Sequence, residues 1–142
     1  MKKKLEQEQL RIGITGGRTY ENKIQIRKFI HALKTQTNQS IAIVSLGDQH
    51  GADKYIKKYA LEFGYVYQEC NPEYTTKNLY SILSEAHYGK PYTPKSIHVR
   101  DKIFCMYVDK CVVFDNTNMA DVKVVNLVKL FTRRKKSLIL LP

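Results

Sequence analysis

Long apolar runs are absent from this sequence, and so is the apolar core of a secretory signal. No run approaches the roughly 20 apolar residues that a membrane-spanning helix needs. The basic residues at positions 2–4 resemble the start of a signal peptide, but the polar segment 5–9 (LEQEQ) follows where an apolar stretch should stand. We therefore expect a cytoplasmic protein without a membrane partner.

Cysteine is also scarce, with three residues in a chain of 142, at Cys70, Cys105 and Cys111. Their spacing matches no metal-binding motif, so we predict no metal site. An odd number of cysteines cannot pair completely within one chain, which argues against a disulfide-stabilised secreted domain. Reduced thiols, as in the cytoplasm, agree best with this pattern.

Acidic residues are few compared with basic ones: 13 Asp and Glu stand against 24 Lys and Arg, for a net charge of +11. This excess favours polyanionic partners such as nucleic acid, nucleotides or acidic proteins. It equally suits a solubility charge on a Lys-rich chain. The first of two basic clusters lies at positions 2–4, and we predict that residues 1–9 form a flexible tail. The other, 133–136 (RRKK), ends a predicted helix, where cations complement the helix dipole.

The sequence does contain a regular alternation of strand and helix patterns over residues 10–142. Short apolar runs predict strands over 10–14, 40–46, 65–69, 110–114 and 137–141. Helical spacing predicts helices over 21–35, over 52–63 with Gly64 as its end, around 79–86, from Thr93 and Pro94 onward, and over 119–134. This order predicts a single α/β, Rossmann-like domain with a mostly parallel sheet and helices on both faces.

A glycine turn follows the first predicted strand, within 12–20 (IGITGGRTY). Gly16 and Gly17 allow the backbone to approach an anion, and the following helix offers free N–H groups. Arg18 can donate to two phosphate oxygens. Thr15 and Tyr20 flank the turn, and Tyr20 can stack on a base. We predict that all of these residues bind the ligand; a simple tight turn with a surface arginine is the alternative.

A second loop of this kind lies within 45–53 (SLGDQHGAD). Gly47, Gly51 and Ala52 lead into a helix whose first turn contains Asp53. This aspartate either stabilises the helix N-terminus or accepts hydrogen bonds from a ribose hydroxyl. Two such loops at the carboxyl ends of parallel strands indicate a nucleotide-like ligand without identifying it.

Two further candidates come from the second half of the chain. Asp115 follows the fourth predicted strand and so belongs to the same edge of the sheet. Arg100 falls on the apolar face of a helix with Ile97 and Phe104. A guanidinium there needs a partner, because an unpaired buried charge is costly. The candidate partners are Asp101, Asp115, a helix C-terminus and a ligand phosphate.

These motifs resemble the SLOG superfamily, and within it the YspA-like, cpYpsA-related group. The resemblance rests on 13–20 (GITGGRTY), on 51–53 (GAD) opening a helix, on 88–90 (YGK), and on 100–101 (RD) before a VVFD strand. The DNA-processing protein A fold and the LOG-type phosphoribohydrolases are more distant relatives. The resemblance implies a Rossmann-like SLOG domain over 10–142, with the 16–18 turn against phosphate, 51–53 as a second wall and Arg100 beside the ligand.

The chain departs from the enzymes of the LOG branch after the fourth strand. Those enzymes have a Pro-Gly-Gly-x-Gly-Thr loop and a catalytic glutamate there. This chain has 115–121 (DNTNMAD), which contains neither glycine nor glutamate. We therefore favour a binding protein over an enzyme, and an enzyme would have to use Asp121 or Asp53 as its acid.

The function implied by the resemblance is binding of a nucleotide or a nucleotide-derived signal, either ADP-ribose-like or a cyclic nucleotide. The protein would be a homo-oligomeric sensor or sequestering module, in a setting of phage or bacterial defence, and would need no cofactor besides that ligand. One alternative is an N-glycosidase or phosphoribohydrolase acting on nucleotides. The other is a basic module that binds nucleic acid or a polymerase.

Overall fold

Strands and helices alternate along residues 9–142, the part of the chain that the computed structural model describes. The predicted tail of residues 1–9 lies outside this range except for its last residue. The elements are β1 (Leu10–Gly16), α1 (Lys23–Ala32), β2 (Ile41–Ser45), α2 (Ala52–Glu62), β3 (Val66–Glu69), α3 (Ser96–Tyr107), β4 (Lys110–Phe114), α4 (Val122–Arg133) and β5 (Leu138–Leu141). Short 3-10 helices occupy Leu33–Thr35 and Glu85–His87.

The five strands form one sheet in the order β3-β2-β1-β4-β5, and every pair is parallel. Ile12 in β1 is in register with Ile43 of β2 on one side and with Lys110 of β4 on the other. The chain therefore runs outward from β1 to β3 and then returns to place β4 on the opposite side of β1. In α/β sheets a ligand crevice opens at the carboxyl ends of the strands where the order reverses, here between β1 and β4.

Each face of the sheet has its own apolar core. Side chains alternate along β1, β2 and β4, so that Ile14, Ile43 and Phe114 pack with α1 and α2. Val44 and Val113 point to the other face and pack with α3 and α4. This arrangement confirms the predicted Rossmann-like α/β class, with helices on both faces of a parallel sheet.

The long helices agree closely with their sequence patterns. Ile26, Ile30 and Leu33 are buried on one face of α1 and the 3-10 turn that continues it. Gly64 follows α2 with φ of +78°, the left-handed conformation that ends helices and that glycine adopts without strain. Within the described residues, no helix is long and apolar enough to cross a membrane.

The short helix predicted around 79–86 is wrong. Leu79, at the start of that range, is 89% exposed. The segment instead runs beside β3, where Ser81 forms a parallel bridge with Glu69. The Asn78 side chain accepts from the Tyr80 amide and donates to Glu69. Short polar side chains that bond to nearby backbone compete with a helix, and only Glu85–His87 forms a helical turn within this stretch.

The predicted start of α3 is also wrong by two residues. Thr93 and Pro94 precede the helix, which begins at Ser96. The Thr93 amide donates to the Ser96 hydroxyl (3.1 Å), and the Ser96 amide donates to the Thr93 carbonyl (3.0 Å). The two residues thus close a turn of their own. The Ser96 hydroxyl also donates to Glu73 (3.2 Å), which ties the helix start to the loop after β3.

Candidate functional site

The loops that follow β1, β2 and β4 meet at the carboxyl edge of the sheet. Glycines allow these loops to approach one another closely. A side chain on Gly16 would collide with the Phe114 carbonyl and with Ala52, and one on Gly51 would collide with the backbone of the 16–18 turn. Gly51 has φ of +70°, a conformation that favours glycine. These glycines, with Ala52, let three elements pack against one another.

The turn predicted to bind phosphate has its own protein partners. The Gly17 amide donates to the Phe114 carbonyl (3.1 Å), and the Gly17 carbonyl accepts from the Ala52 amide (3.1 Å). The Arg18 amide donates to the Asp121 carboxylate (3.3 Å). The Gly17 and Arg18 amides are therefore already hydrogen-bonded within the protein.

Asp121 is the N-cap residue of α4. One of its carboxylate oxygens accepts from the Lys123 amide (2.9 Å), and the other accepts from the Arg18 amide. A carboxylate at this position satisfies free N–H groups of the helix and interacts favourably with its dipole. Asp121 thus joins the β1–α1 turn to the start of α4.

A cluster of buried charges lies beneath these loops. Asp53 is 1% exposed, and its carboxylate accepts from the Thr15 hydroxyl (2.6 Å), the Asp48 amide (3.1 Å) and the Lys123 ammonium (3.2 Å). Lys123 also donates to the Asp48 carboxylate at 2.6 Å. The cluster connects β1, the β2–α2 loop and α4, and Asp53 serves as its centre.

The two carboxylates bound by Lys123 have opposite pKa shifts. Burial raises the pKa of Asp53 and outweighs the attraction of Lys123, while the nearby Asp48 raises it further. Burial also acts to raise the pKa of Asp48, but Lys123, Arg100 and Arg18 together outweigh it, so that the pKa of Asp48 is lowered. Asp48 is therefore the firmly ionised member of the pair.

Arg100 is buried, with 1% of its side chain exposed, and the structure shows which acidic residue pairs with its charge. Its Nε and Nη2 donate to one oxygen of Asp101 at 3.2 and 3.0 Å. Its Nη1 lies 3.8 Å from Asp48 but has no hydrogen-bond partner among the described residues. Asp101, rather than Asp115 or a helix end, is thus its main protein partner, and one donor is left over.

A cavity of about 230 Å³ opens beside Arg100, between the β1–α1 turn and the helices α3 and α4. Its lining residues are Arg18, Ile97, Arg100, Asp101, Asp121, Val122, Lys123 and Asn126. A neighbouring cavity of about 160 Å³ continues between α3 and α4 and shares Asp101 and Asn126 with the first. The first cavity lies at the expected position of a ligand crevice at the β1–β4 reversal, and the second extends from it along α3 and α4.

Tyr20 does not lie at this site. It is 1% exposed, its ring packs against Phe114, and its hydroxyl donates to the Pro142 carbonyl (2.9 Å). The prediction that Tyr20 stacks on a base is therefore not compatible with its position, because both faces of a ring in the core contact protein. In the sequence Tyr20 stands between a strand pattern and a helix pattern, and its burial in the core beneath α1 and α2 was therefore not predicted.

Asp115 and Gly47 lie near the edge but face other partners. Asp115 accepts from the Thr117 amide and hydroxyl (3.1 and 2.6 Å) and from the Met119 amide (2.9 Å). These bonds outweigh burial and lower the pKa of Asp115. Gly47, with φ of +74°, packs against Asn71 and Glu69. Both residues shape their own loops.

Three residues of the site were not predicted from the sequence: Asp48, Lys123 and Asn126. Of these, Lys123 carries a usable signal, since it stands between Val122 and Val124 at the start of an apolar helix. Asp48 was recognisable as an additional acid in the second loop. Their pairing joins positions 75 residues apart, and a single sequence gives no indication of it.

Two solved structures share this architecture. One is the molybdenum cofactor binding protein from the phototrophic bacterium Rippkaea orientalis, with a TM-score of 0.65 and 17% identity over 93% of this chain and 76% of that one. The other is the Moco carrier protein from Chlamydomonas reinhardtii, with a TM-score of 0.59 and 18% identity over 94% and 76%. No protein-family model and no curated protein sequence matches the chain. The chain therefore shares the Rossmann-like α/β fold of these two proteins.

Proposed function

We propose that the protein binds a small phosphorylated ligand, a nucleotide or a nucleotide-derived signal, in the cavity beside Arg100. One observation carries this proposal: the Nη1 donor of a fully buried guanidinium has no hydrogen-bond partner among the described residues. A buried donor without an acceptor is costly, on the order of 1–3 kcal/mol or more for a charged group. A phosphate oxygen in the cavity would remove that cost.

Arg18 supplies a second, adjustable contact for the same ligand. Its side chain is 61% exposed and its Nε lies 3.7 Å from Asp48, a loose pairing that a ligand can replace. Asn126 lines the cavity with an amide that both donates and accepts. The carboxylate of Asp101 is partly directed at Arg100, so the ligand meets a mixed surface of donors and acceptors. Phosphate and sugar hydroxyls match such a surface.

The size of the cavity limits which part of the ligand it holds. Its volume of about 230 Å³ is below the roughly 300–1,000 Å³ of typical small-molecule sites. We infer that it takes the phosphorylated part of the ligand, and that the rest extends into the adjoining 160 Å³ cavity. The two fold neighbours support a small-molecule role, since their names describe binding or carrying of a molybdenum cofactor. We also propose that the chain is a member of the SLOG superfamily, and its Rossmann-like fold agrees with this.

Binding rather than turnover agrees best with the acids of the site. Asp53 already accepts three hydrogen bonds, and both oxygens of Asp121 accept backbone amides. These bonds give both carboxylates a structural role in joining the loops of the site. Hydrolysis of a nucleoside monophosphate that disappears in Asp121→Asn would instead support the N-glycosidase alternative.

The first test is native mass spectrometry of the purified protein before and after denaturation. We expect a co-purified small molecule that is released on unfolding, and its mass separates a nucleotide from a molybdenum cofactor. The same spectrum measures the oligomeric state, for which self-association remains a prediction. A protein that carries no ligand and binds neither nucleotides nor inorganic phosphate in calorimetry would overturn the proposal.

The second test is the substitution Arg100→Lys. Lysine keeps the charge beside Asp101 but lacks the guanidinium fork that carries Nη1. We expect ligand affinity to fall about ten- to hundredfold, the loss of one charge-assisted hydrogen bond. Arg27→Lys is the matched control, since Arg27 lies on α1 and is exposed on the opposite face. Equal affinities in both variants would count against the site.

A second candidate is binding of nucleic acid along α3 and α4. His98, Lys102, Lys129 and Arg133 surround the 160 Å³ cavity, and Asp101, the one acid on these two helices, is buried. This surface predicts oligonucleotide affinity that falls steeply with salt, in proportion to the phosphates contacted. A small-ligand cavity depends on salt far less, so a salt titration separates the two functions.

A further inference from the structure

The carboxylate of Asp121 occupies the place where a Gly-rich turn and a helix N-terminus would hold a phosphate. One oxygen accepts from the Arg18 amide of the turn (3.3 Å) and the other from the Lys123 amide in the first turn of α4 (2.9 Å). Backbone N–H groups of these two kinds form anion sites in α/β proteins. In this protein the anion that these N–H groups bind is the carboxylate of Asp121.

The Asp121 carboxylate fills the space on the Gly17 side of the turn. Even a methyl group on Gly17 would lie 2.8 Å from the nearer oxygen of Asp121. A phosphate at the turn would also meet the negative charge of Asp121 at close range. The cavity nevertheless continues from Asp121 to Arg100, whose buried Nη1 has no hydrogen-bond partner in residues 9–142. Two neighbouring anion positions therefore exist, one filled by the protein and one open.

We infer that Asp121 determines specificity for the number of phosphates in the ligand. Its carboxylate stands in for a phosphate at the turn, so that the site accepts one anionic group, at Arg100. Resting on the proposed function, this names the ligand class as a nucleoside monophosphate or a cyclic nucleotide. A nucleoside diphosphate or an ADP-ribose-like compound would place its second phosphate against Asp121 and bind less well.

The substitution Asp121→Ser separates charge and volume from helix capping. Serine remains a good N-cap residue, but it is neutral and smaller, so it frees the Arg18 amide and the space before α4. The first turn of α4 then offers its dipole to an external anion. Asp121→Asn, which preserves the shape of the side chain and removes the charge, is the second variant should the serine variant fail to fold.

The experiment compares inorganic phosphate with pyrophosphate, and AMP with ADP, by calorimetry on the wild-type protein and on Asp121→Ser, Asp121→Asn and Arg100→Lys. For the wild type we expect phosphate and AMP to bind at least as tightly as pyrophosphate and ADP. In Asp121→Ser we expect the preference for the diphosphate forms to rise about tenfold or more, the gain from a new charge-assisted contact. Thermal melts establish that each variant is folded.

The outcomes distinguish this inference from the proposed function. Phosphate binding that is weakened in Arg100→Lys, with an unchanged diphosphate preference in both Asp121 variants, overturns the role of Asp121 and leaves the Arg100 site in place. Absence of phosphate and nucleotide binding in the wild type and in every variant overturns both. A wild-type preference for pyrophosphate and ADP likewise contradicts the inference.

Discussion

Lys123 holds the interior of the site together at the scale of single residues. Its side chain is 7% exposed, and its ammonium lies between the carboxylates of Asp48 and Asp53. Without it, two like charges would face each other in a buried position. Removal of one partner from a buried ion pair typically costs about 3–5 kcal/mol, because the remaining charge is left uncompensated.

We predict that Lys123→Met lowers the free energy of unfolding by about 3 kcal/mol at neutral pH. The loss should shrink as the pH falls. Burial raises the pKa of Asp53 in the folded protein, and Lys123 opposes this rise. Without Lys123 the pKa rises further, so protonation of Asp53 favours folding more in the variant than in the wild type. Urea denaturation between pH 7 and pH 5 measures both effects. Lys129→Met, on the exposed side of the same helix, should change little at either pH.

The hydroxyl of Thr15 is a second residue on which the cluster depends. It donates to the buried Asp53 carboxylate at 2.6 Å. In Thr15→Val the shape is retained and the donor is lost, so we expect destabilisation by about 1–3 kcal/mol. Thr15→Ser keeps the donor and removes one methyl group, and it should lose clearly less. Equal losses in urea denaturation would mean that packing, and not the hydrogen bond, explains the effect.

Asp115 makes the free energy of unfolding depend on pH under acidic conditions. Hydrogen bonds from Thr117 and Met119 outweigh burial and lower its pKa in the folded state. A lowered pKa contributes stability above the ordinary value near 3.8, and this contribution is lost as the pH falls through the folded value. Asp115→Asn should therefore be less stable than wild type at neutral pH and lose less stability than wild type below about pH 4. Thermal melts from pH 6 to pH 2.5 test this; parallel curves would contradict it.

Close packing of elements at the carboxyl edge depends on glycine. Gly16 lies between β4 and α2, and an added Cβ would lie 2.5 Å from the Phe114 carbonyl and 2.6 Å from Ala52. Neither neighbour can rotate away. The strands β1 and β4 would have to separate at the point where the crevice opens.

We predict that Gly16→Ala lowers the free energy of unfolding by about 3 kcal/mol, through overpacking against rigid neighbours. Gly89→Ala is the control. Gly89 has φ of +76° and open space around it, so alanine there meets backbone strain alone, about 1 kcal/mol. Urea denaturation compares the two, and a Gly89→Ala loss as large as that of Gly16→Ala would show that contact at Gly16 is unimportant.

Elements with strong periodicity could be predicted from the sequence, and elements governed by side-chain to backbone bonds could not. The five strands and four long helices follow apolar patterns that burial on two faces requires. The stretch 79–86 contains apolar residues at helical spacing, but Asn78 and Ser81 direct its backbone elsewhere. The site divides in the same way. Its loops were predictable from glycines at strand ends, whereas Lys123 and Asp48 meet through the tertiary fold alone.

At the scale of the whole molecule, the two cores share one sheet and should unfold together. Tyr20, Tyr59, Tyr65 and Tyr67 belong to the core beneath α1 and α2. Cys70, Cys105 and Cys111 belong to the core beneath α3 and α4. The chain has no tryptophan and ten tyrosines. Six of the tyrosines belong to or pack against the α1–α2 core, so tyrosine fluorescence reports mainly that face of the sheet, and thiol reactivity reports the other.

We predict coincident urea transitions for tyrosine fluorescence and for pulse labelling of the thiols. Burial raises the pKa of the Cys70 thiol to about 12 and also raises that of Cys111, so labelling requires that the α3–α4 core opens. A single midpoint would agree with cooperative unfolding of a domain of this size. Thiol labelling at clearly lower urea would show that α3 and α4 separate from the sheet first.

The central position of β1 has a consequence for synthesis on the ribosome. β1 is made early and can pair with β2 at once, but its other edge waits for β4, at Lys110–Phe114. Until α3 and α4 also emerge, Val44 and Leu46 have nothing to cover them on that face. The nascent chain therefore presents an unpaired strand edge and an apolar surface, the features that chaperones bind, and arrival of β4 ends that exposure.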